Sequence, residues 1–352
     1  MSESLKLGIF MPNCSNMPCI STHKPNPDDW HFGENVRIAR AAEDAGFDFL
    51  FPVSRWWGFG GETNFLGSSL ETMTWASGLL VATERIQIFS TVHVPVFNPV
   101  VVAEMGATLD HIGAGRWGIN IVSGWNTSEF RMMGVDVLDH GTRYQRTSDF
   151  IRILKGLWTE EPGTFDYDCE WYKIRGGYVR PQPVQKPHPP IVNAGSSDDA
   201  RNAVAGLCDW AFMSPPTIDG CAEVAADFKR RAASFDRDVR CAAAVIVLCR
   251  ETEALAMRER DLIIENIDWT AVNNWSEELG IQSGSFDEHT LEMLALGAGA
   301  LPVIGTPDQV AEQLHQLHRS GVDGVLMSYP DYYEDTVGFG RDVVPRLRAL
   351  GS

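Results

Sequence analysis

Short apolar runs recur along the chain, and between them lie longer stretches in which apolar positions return every three or four residues. Eight runs have the length and the continuous apolar character of strands buried on both faces of a parallel sheet: Leu5 to Phe10, Phe49 to Val53, Ile86 to Val94, Trp117 to Ser123, Pro190 to Ala194, Trp210 to Met213, Ala242 to Leu248 and Gly324 to Ser328. The stretches between them carry helix signals. In GENVRIARAAEDAGF an apolar face of Val36, Ala39, Ala42 and Ala45 ends at Gly46. In TPDQVAEQLHQLHRSGVD, Thr306 is placed to cap a helix, with Pro307 in its first turn and Gly321 at its end. Strand-helix units repeated in one order predict an α/β fold, the (β/α)8 TIM barrel. The rival architecture, a doubly wound open sheet, is disfavoured because no GxGxxG follows the first strand, and no GKS/T phosphate loop occurs.

Three segments interrupt the alternation: residues 13–31, 126–143 and 267–302. Insertions in a barrel usually elaborate loops at the C-terminal ends of strands, so they are expected to build a substrate pocket and its lid. For the last segment, surface ornament or an oligomer contact is an equal alternative. A barrel routinely runs past the commonest domain size, so one domain over residues 1–352 is expected.

Composition narrows the function. Hydrophobic residues make up 44% and charged residues 22%, ordinary for a folded globular chain. With 29 Lys and Arg against 47 Asp and Glu, the formal charge of -18 disfavours nucleic acid as a partner. The seven cysteines are dispersed and form no CxxC pair, which reads as free thiols without a disulfide framework or a zinc site. The N-terminus begins with a strand pattern in place of a leader, and no run of about 18 apolar residues occurs, so a cytoplasmic protein without a membrane span is expected.

Polar residues then stand out where barrel strands end. Asn120 interrupts the apolar run GINIVSG, and a buried amide must find a partner or cost a few kcal/mol. By itself it reads best as a bridge between neighbouring strands. Arg143 and Tyr144 sit near the start of a helical stretch, where a forked guanidinium and a phenol suit an anionic phosphate, although an isolated Arg is more often solvated. PPIVNAGSSDDARNAV puts a Gly-Ser-Ser turn between a strand and a helix, where first-turn amides can bind phosphate; Ser197 equally reads as a plain helix cap.

These motifs together resemble the bacterial luciferase-like flavin monooxygenases over nearly the whole chain. CISTHKP, FDFLFPVSRWWGFGGETNF, LETMTWASGL, RIQIFST and GRWGINIVSGWNTSEF are similar to the pyrimidine monooxygenase branch, while LDHGTRYQR, FIRILKGLWT and PHPPIVNAGSSDDAR are at least as similar to the dimethylsulfone monooxygenases. The resemblance implies FMN as cofactor, with contacts at Ser54 and Arg55, Asn120, Glu129, Arg143 and Tyr144, and Ser197. The phosphate would rest on Ser197, Arg143 and Tyr144. At the first pair the pyrimidine enzymes carry Ile-Lys, so Ser54 and Arg55 depart from that branch, with the positive charge kept in a different geometry. It also implies that Thr91 and Asn120 line a dioxygen pocket, where a hydroxyl and an amide donate hydrogen bonds to a developing anion. No metal is implied.

His93 lies two residues beyond Thr91 and shares its face of the strand, so it is a further catalytic candidate, although the pyrimidine branch has a small residue there. His140 in LDHGTRY and His23 in STHKP have open roles. Trp30, Trp56, Trp57 and Trp125 fall in loops after strands, where they wall a pocket or simply pack; for Trp56 and Trp57 the pocket is expected.

The implied activity is a two-component monooxygenase. A separate NAD(P)H:flavin reductase supplies reduced FMN, and a flavin peroxide cleaves a C–N bond in a pyrimidine-like heterocycle, amide or lactam. Oxidative C–S cleavage of a sulfone or sulfonate is the alternative; alkanesulfonate enzymes rely on a Cys in the region of Ser54, which argues against a sulfonate. A deazaflavin-dependent reductase is a third reading. Relatives form homo-oligomers, dimers or tetramers, and the same is expected here.

Overall fold

The computed structural model describes residues 4–136, 138–279 and 288–352. Among them are eleven strands: β1 (Lys6–Phe10), β2 (Phe49–Phe51), β3 (Gln87–His93), β4 (Trp117–Val122), β5 (Phe165–Asp168), β6 (Lys173–Gly177), β7 (Ile191–Asn193), β8 (Trp210–Met213), β9 (Arg240–Cys249), β10 (Leu301–Gly305) and β11 (Gly324–Ser328). The helices are α1 (Phe32–Ala45), α2 (Thr72–Ala82), α3 (Pro99–Ile112), α4 (Thr127–Met132), α5 (His140–Thr159), α6 (Asp198–Leu207), α7 (Ile218–Ala233), α8 (Glu253–Glu265), α9 (Trp269–Glu278), α10 (Glu288–Gly297), α11 (Pro307–Arg319), α12 (Tyr332–Asp342) and α13 (Val344–Ala349). All eight expected strands are present, and the fold class is the α/β TIM barrel. The hairpin of β5 and β6 and the strand β10 are additions.

The chain divides into two compact units. In the first, made of Met1–Glu71, Met213–Asp227 and Arg240–Ser352, the strands run β10-β9-β11-β1-β2 with every neighbouring pair parallel. Burial on both faces explains the near-continuous apolar sequences: Cys241 to Leu248 are all buried, as is every residue of β11. Gly8 is required by close approach, because a Cβ there would lie 2.2 Å from the ring of Phe49. Gly46 ends α1 in the left-handed region at φ 83°. The buried face of α1 is Asn35, Ile38, Ala39 and Ala42, so the apolar stripe expected at Val36 and Ala45 is displaced. The reason is Asn35, whose amide Nδ2 donates to the Asp29 carbonyl at 2.8 Å and can be buried because it is satisfied. Thr306 and Gln309 form a complete capping box on α11, with Pro307 in the first turn.

Residues 13–31 lie against helices of the same unit. Ser21 pairs with Ile267 across a β-bridge, and its hydroxyl donates to the Ile263 carbonyl at 2.9 Å. Within the segment Lys24 Nζ meets Asp29 at 2.7 Å with both side chains almost fully buried. The segment expected over residues 267–302 contains α9, α10 and the start of β10; its residues 280–287 lie outside the described residues.

The second unit, Thr72–Phe212 with Phe228–Val239, holds the parallel order β3-β4-β7-β8 and the antiparallel hairpin of β5 and β6. Trp117 anchors its core: the indole is fully buried, donates to Ser90 Oγ at 3.0 Å and meets Trp158 edge to face. All seven cysteines are free thiols, as expected. Among the described residues no helix is long and apolar enough to cross a membrane.

Candidate functional site

Parallel pairing of β3 with β4 puts Thr91 directly beside Asn120. Both side chains are buried, and Asn120 Nδ2 donates to Thr91 Oγ1 at 3.3 Å. The other amide atom, Asn120 Oδ1, is buried without a hydrogen-bond partner, a state costly enough in a folded core to mark a place where something else can bind. Thr91 is fixed from behind by Thr72, whose hydroxyl donates to the Thr91 carbonyl at 2.6 Å and accepts from its amide at 3.2 Å. His93 is buried on the same strand and packs edge to face on Phe130, ring centres 6.1 Å apart. Glu129, on α4, is fully buried. The N-cap of α4 is Asn126, which accepts from the Glu129 amide at 3.0 Å and leaves its own Nδ2 buried and unpartnered.

A second polar cluster forms where β4 and β7 end. α5 begins at Asp139, whose side chain caps it by accepting from the Thr142 amide, and this brings Arg143 and Tyr144 into the opening turns. Arg143 donates to the Gly124 carbonyl and has a buried, unpartnered Nε. Thr147 ties the helix to the strand by donating to Ser123 Oγ at 2.8 Å. Burial pushes the Tyr144 phenol up, while its bond to Ser123 and the nearby Arg143 cation pull it down; the outcome is a raised value, so the phenol stays a neutral donor at pH 7. The hydroxyl of Tyr144 lies over Gly195, where a Cβ would come within 2.8 Å of it. Ser197 is the N-cap of α6, accepting from the Ala200 amide at 3.3 Å, which leaves earlier first-turn amides without an intrahelical acceptor. The first turn of α6 also carries Asp198 and Asp199; Asp198 is paired with Arg231 at 2.6 Å, so its charge is largely compensated. A cavity of about 410 Å³ between α5 and α6 shares Tyr144 with this cluster.

In the first unit, Ser54 is buried and Arg55 half-buried beyond the end of β2. They line a cavity of about 250 Å³ with Trp56, Gly67, Ser69, Leu70 and Glu71. The turn is held by Asn13, which donates to the Val53 carbonyl at 2.6 Å and accepts from the Val53 amide at 2.8 Å. Trp57, expected in the pocket, is 53% exposed and does not line this cavity. His23 and Trp30 are half-buried, the latter beside His31 at 4.3 Å between rings; in the second unit Trp125 is half-buried. The side chain of His140 lies outside the described residues.

Thr72, Asn13 and Asn193 were not singled out as site residues, although LETMTWASGL contains Thr72 and PHPPIVNAGSSDDAR contains Asn193. Asn193 had a readable signal, a polar amide closing the apolar run PPIVN, the same signature that marks Asn120. Thr72 had none, because its role depends on which strand α2 packs against.

Residues 5–324 match the family model described as luciferase-like monooxygenase. The chain is 31% identical over 360 residues to an FMNH(2)-dependent dimethylsulfone monooxygenase of Pseudomonas putida, covering 99% of this chain and 97% of that protein. It is 29% identical to the pyrimidine monooxygenase RutA of Acinetobacter baylyi (strain ATCC 33305 / BD413 / ADP1), covering 97% of this chain and 95% of that protein. The solved structure of riboflavin lyase (RcaE) with modified FMN and substrate riboflavin superposes with a TM-score of 0.89 at 20% identity, covering 99% of this chain and 92% of that one, a likeness of fold. With the polar strand ends of β3, β4 and β7 placed as described, and with this match along almost its whole length, the chain belongs to the luciferase-like monooxygenase family.

Proposed function

We propose that this protein is the oxygenase of a two-component, FMN-dependent monooxygenase that cleaves a C–N bond in a small nitrogen heterocycle, amide or lactam. A separate NAD(P)H:flavin reductase provides the reduced cofactor. The observation that carries the reading is the Thr91–Asn120 pair on adjacent strands, with Asn120 Oδ1 buried and open. The residues of the second unit fit FMN. Around the start of α6 stand donors that suit a phosphate, the first-turn amides, the Ser197 hydroxyl and the Tyr144 phenol, and Arg143, next to Tyr144 on α5, keeps an unpartnered Nε. Close approach to Gly195 leaves room only for backbone, as a cradle for an anion requires.

Reduced FMN, when bound, supplies the electrons that activate dioxygen. Ser197, Arg143 and Tyr144 would hold its phosphate, and Glu129 would be a further contact. Toward oxygen, Thr91 would offer its hydroxyl and Asn120 the second N–H of Nδ2, while the open Oδ1 can only accept, from an N–H or O–H brought by cofactor or substrate; Thr72 fixes the Thr91 backbone from behind. His93, two residues further along the same face of β3, would be the group that exchanges a proton with substrate. Phe130, packed edge to face on His93, would be an apolar wall that excludes water. Free cysteines throughout support a reducing, cytoplasmic location.

A second reading, C–S cleavage of a sulfone, is favoured by the 31% identity to the dimethylsulfone enzyme. Incubation with FMN, a flavin reductase, NADH and isotopically labelled dioxygen separates the two. Labelled ring-opened product from a pyrimidine or lactam supports the first reading; methanesulfinate formed together with formaldehyde from dimethylsulfone, in step with oxygen consumption, supports the second, the new oxygen going to the carbon because the sulfinate keeps the two oxygens of the sulfone. Absence of product from both substrate classes, with reduced FMN bound, overturns both.

A further inference from the structure

The pairing of β4 with β7 stops at Asn120↔Val192, one step before the end of β7. The next carbonyl of β4, that of Ile121, is taken by a side chain: Asn193 Nδ2 donates to it. The other atom of the same amide, Asn193 Oδ1, accepts from the Gly195 amide at 2.7 Å and closes an Asx turn. Asn193 is 3% exposed, and both halves of its amide are in use. One side chain thus continues the sheet by a rung and, two residues later, bends the backbone out of it towards Ser197.

The bend has little latitude. At Gly195 an added Cβ would meet Ala200 Cβ at 2.5 Å, Tyr144 Oη at 2.8 Å and Asn193 Oδ1 at 2.9 Å. The Gly195 backbone is therefore gripped between the first turn of α6, the phenol of α5 and the Asn193 amide. Ser196 and Ser197 are the next links of the chain before the helix begins, so this grip constrains them from the strand side, while from the helix side Arg201 Nε donates to the Ser196 carbonyl at 2.8 Å.

We propose that Asn193 is a positioning residue for the phosphate of the cofactor: it transmits the end of β4 to the Gly195–Ser197 turn and aims that turn's amides. It touches neither cofactor nor substrate in this role. The inference rests on the phosphate placement given above, on Ser197, Arg143 and Tyr144.

The test compares FMN with riboflavin, which has the same ring system and ribityl chain but no phosphate. Binding of each to the full chain is titrated by flavin fluorescence, alongside the melting temperature. For Asn193→Ala the ratio of FMN to riboflavin affinity is expected to fall about tenfold, as for loss of a charge-assisted contact, with riboflavin affinity changing less than about threefold. Asn193→Ser can still accept from the Gly195 amide in a Ser turn but cannot reach Ile121, so a smaller fall of about threefold is expected. An unchanged ratio in Asn193→Ala overturns the proposal, and so does equal loss of both flavins with a matching fall in melting temperature. If the Ala variant does not fold, an unchanged ratio in Asn193→Ser overturns it. Arg143→Ala and Ser197→Ala separate the two layers of the inference. If neither lowers the ratio, the phosphate placement fails and Asn193 with it; if they lower it and Asn193→Ala does not, only the role of Asn193 fails.

Discussion

Asn120 is the residue in which burial, geometry and chemistry meet most closely. Its Nδ2 gives one of its two N–H groups to Thr91 and its Oδ1 is open as an acceptor, so one amide is both structural and available. Asn120→Ala removes the amide proposed to face oxygen without emptying a large apolar volume. It is expected to lower the rate of labelled-oxygen incorporation by about 100-fold or more, the usual cost of deleting one such donor. FMN affinity should stay within about threefold, because the phosphate contacts carry most of the binding. Product analysis with isotopic dioxygen, beside flavin titration of the same preparation, checks both; full activity in the variant removes Asn120 from the chemistry. The residue was legible in sequence as an amide inside an apolar strand. That its partner is Thr91 was not, because the register of β3 against β4 is a property of the sheet.

At the scale of elements, the loop over residues 13–31 is held by a buried ion pair. Lys24 Nζ donates to Asp29 and to the Met17 carbonyl and lies 5.6 Å from the centre of the Tyr332 ring. Burial raises the Asp29 carboxyl to about 6, against the pull of Lys24 and with smaller pushes from Asp331 and Glu34. A carboxyl whose folded value is raised binds its proton more tightly in the native state. Its contribution to stability is therefore present below pH 4 or so and is lost as pH rises through about 6. The melting temperature of Asp29→Asn should lose this part of its pH dependence, a difference of a few degrees between about pH 4 and pH 6.5 by thermal scan. Lys24→Met leaves the buried carboxylate uncompensated and is expected to cost about 3–5 kcal/mol at pH 7, whereas Lys24→Met combined with Asp29→Leu should recover most of it. A double variant as unstable as the single one would show that the pair holds the loop by more than charge compensation. The sequence placed this segment as an insertion. It offered no means of pairing Lys24 with Asp29, since both residue types are usually exposed.

For the whole molecule, the measurable consequence of the proposed cofactor is linkage between binding and folding. FMN at about 100 times its dissociation constant should stabilise the chain by about 2.7 kcal/mol, raising the melting temperature by several degrees. Riboflavin at the same concentration should raise it less, since it lacks the phosphate proposed to rest on Ser197, Arg143 and Tyr144. Equal shifts from both flavins would argue that the phosphate contributes nothing. The net charge of -18 makes the surface self-repelling, so added salt should screen it and strengthen binding of the anionic cofactor modestly, the opposite of a basic phosphate-binding surface.

Local sequence determined the parallel strands and the helices between them, because continuous apolar runs, caps at Thr306 and Ser197 and the stop at Gly46 act over a few residues. It also determined the family, through long motifs. Tertiary structure decided which polar groups meet. Asn35 became buried because the Asp29 carbonyl was there to receive its amide, and Asn193 became a joint between β4 and the turn before α6 because the strand pairing ends one residue short. The cost of burying a polar atom is the same wherever it sits in the chain, but the partner that offsets it comes from another element, and pairing of that kind exists only once the chain has folded.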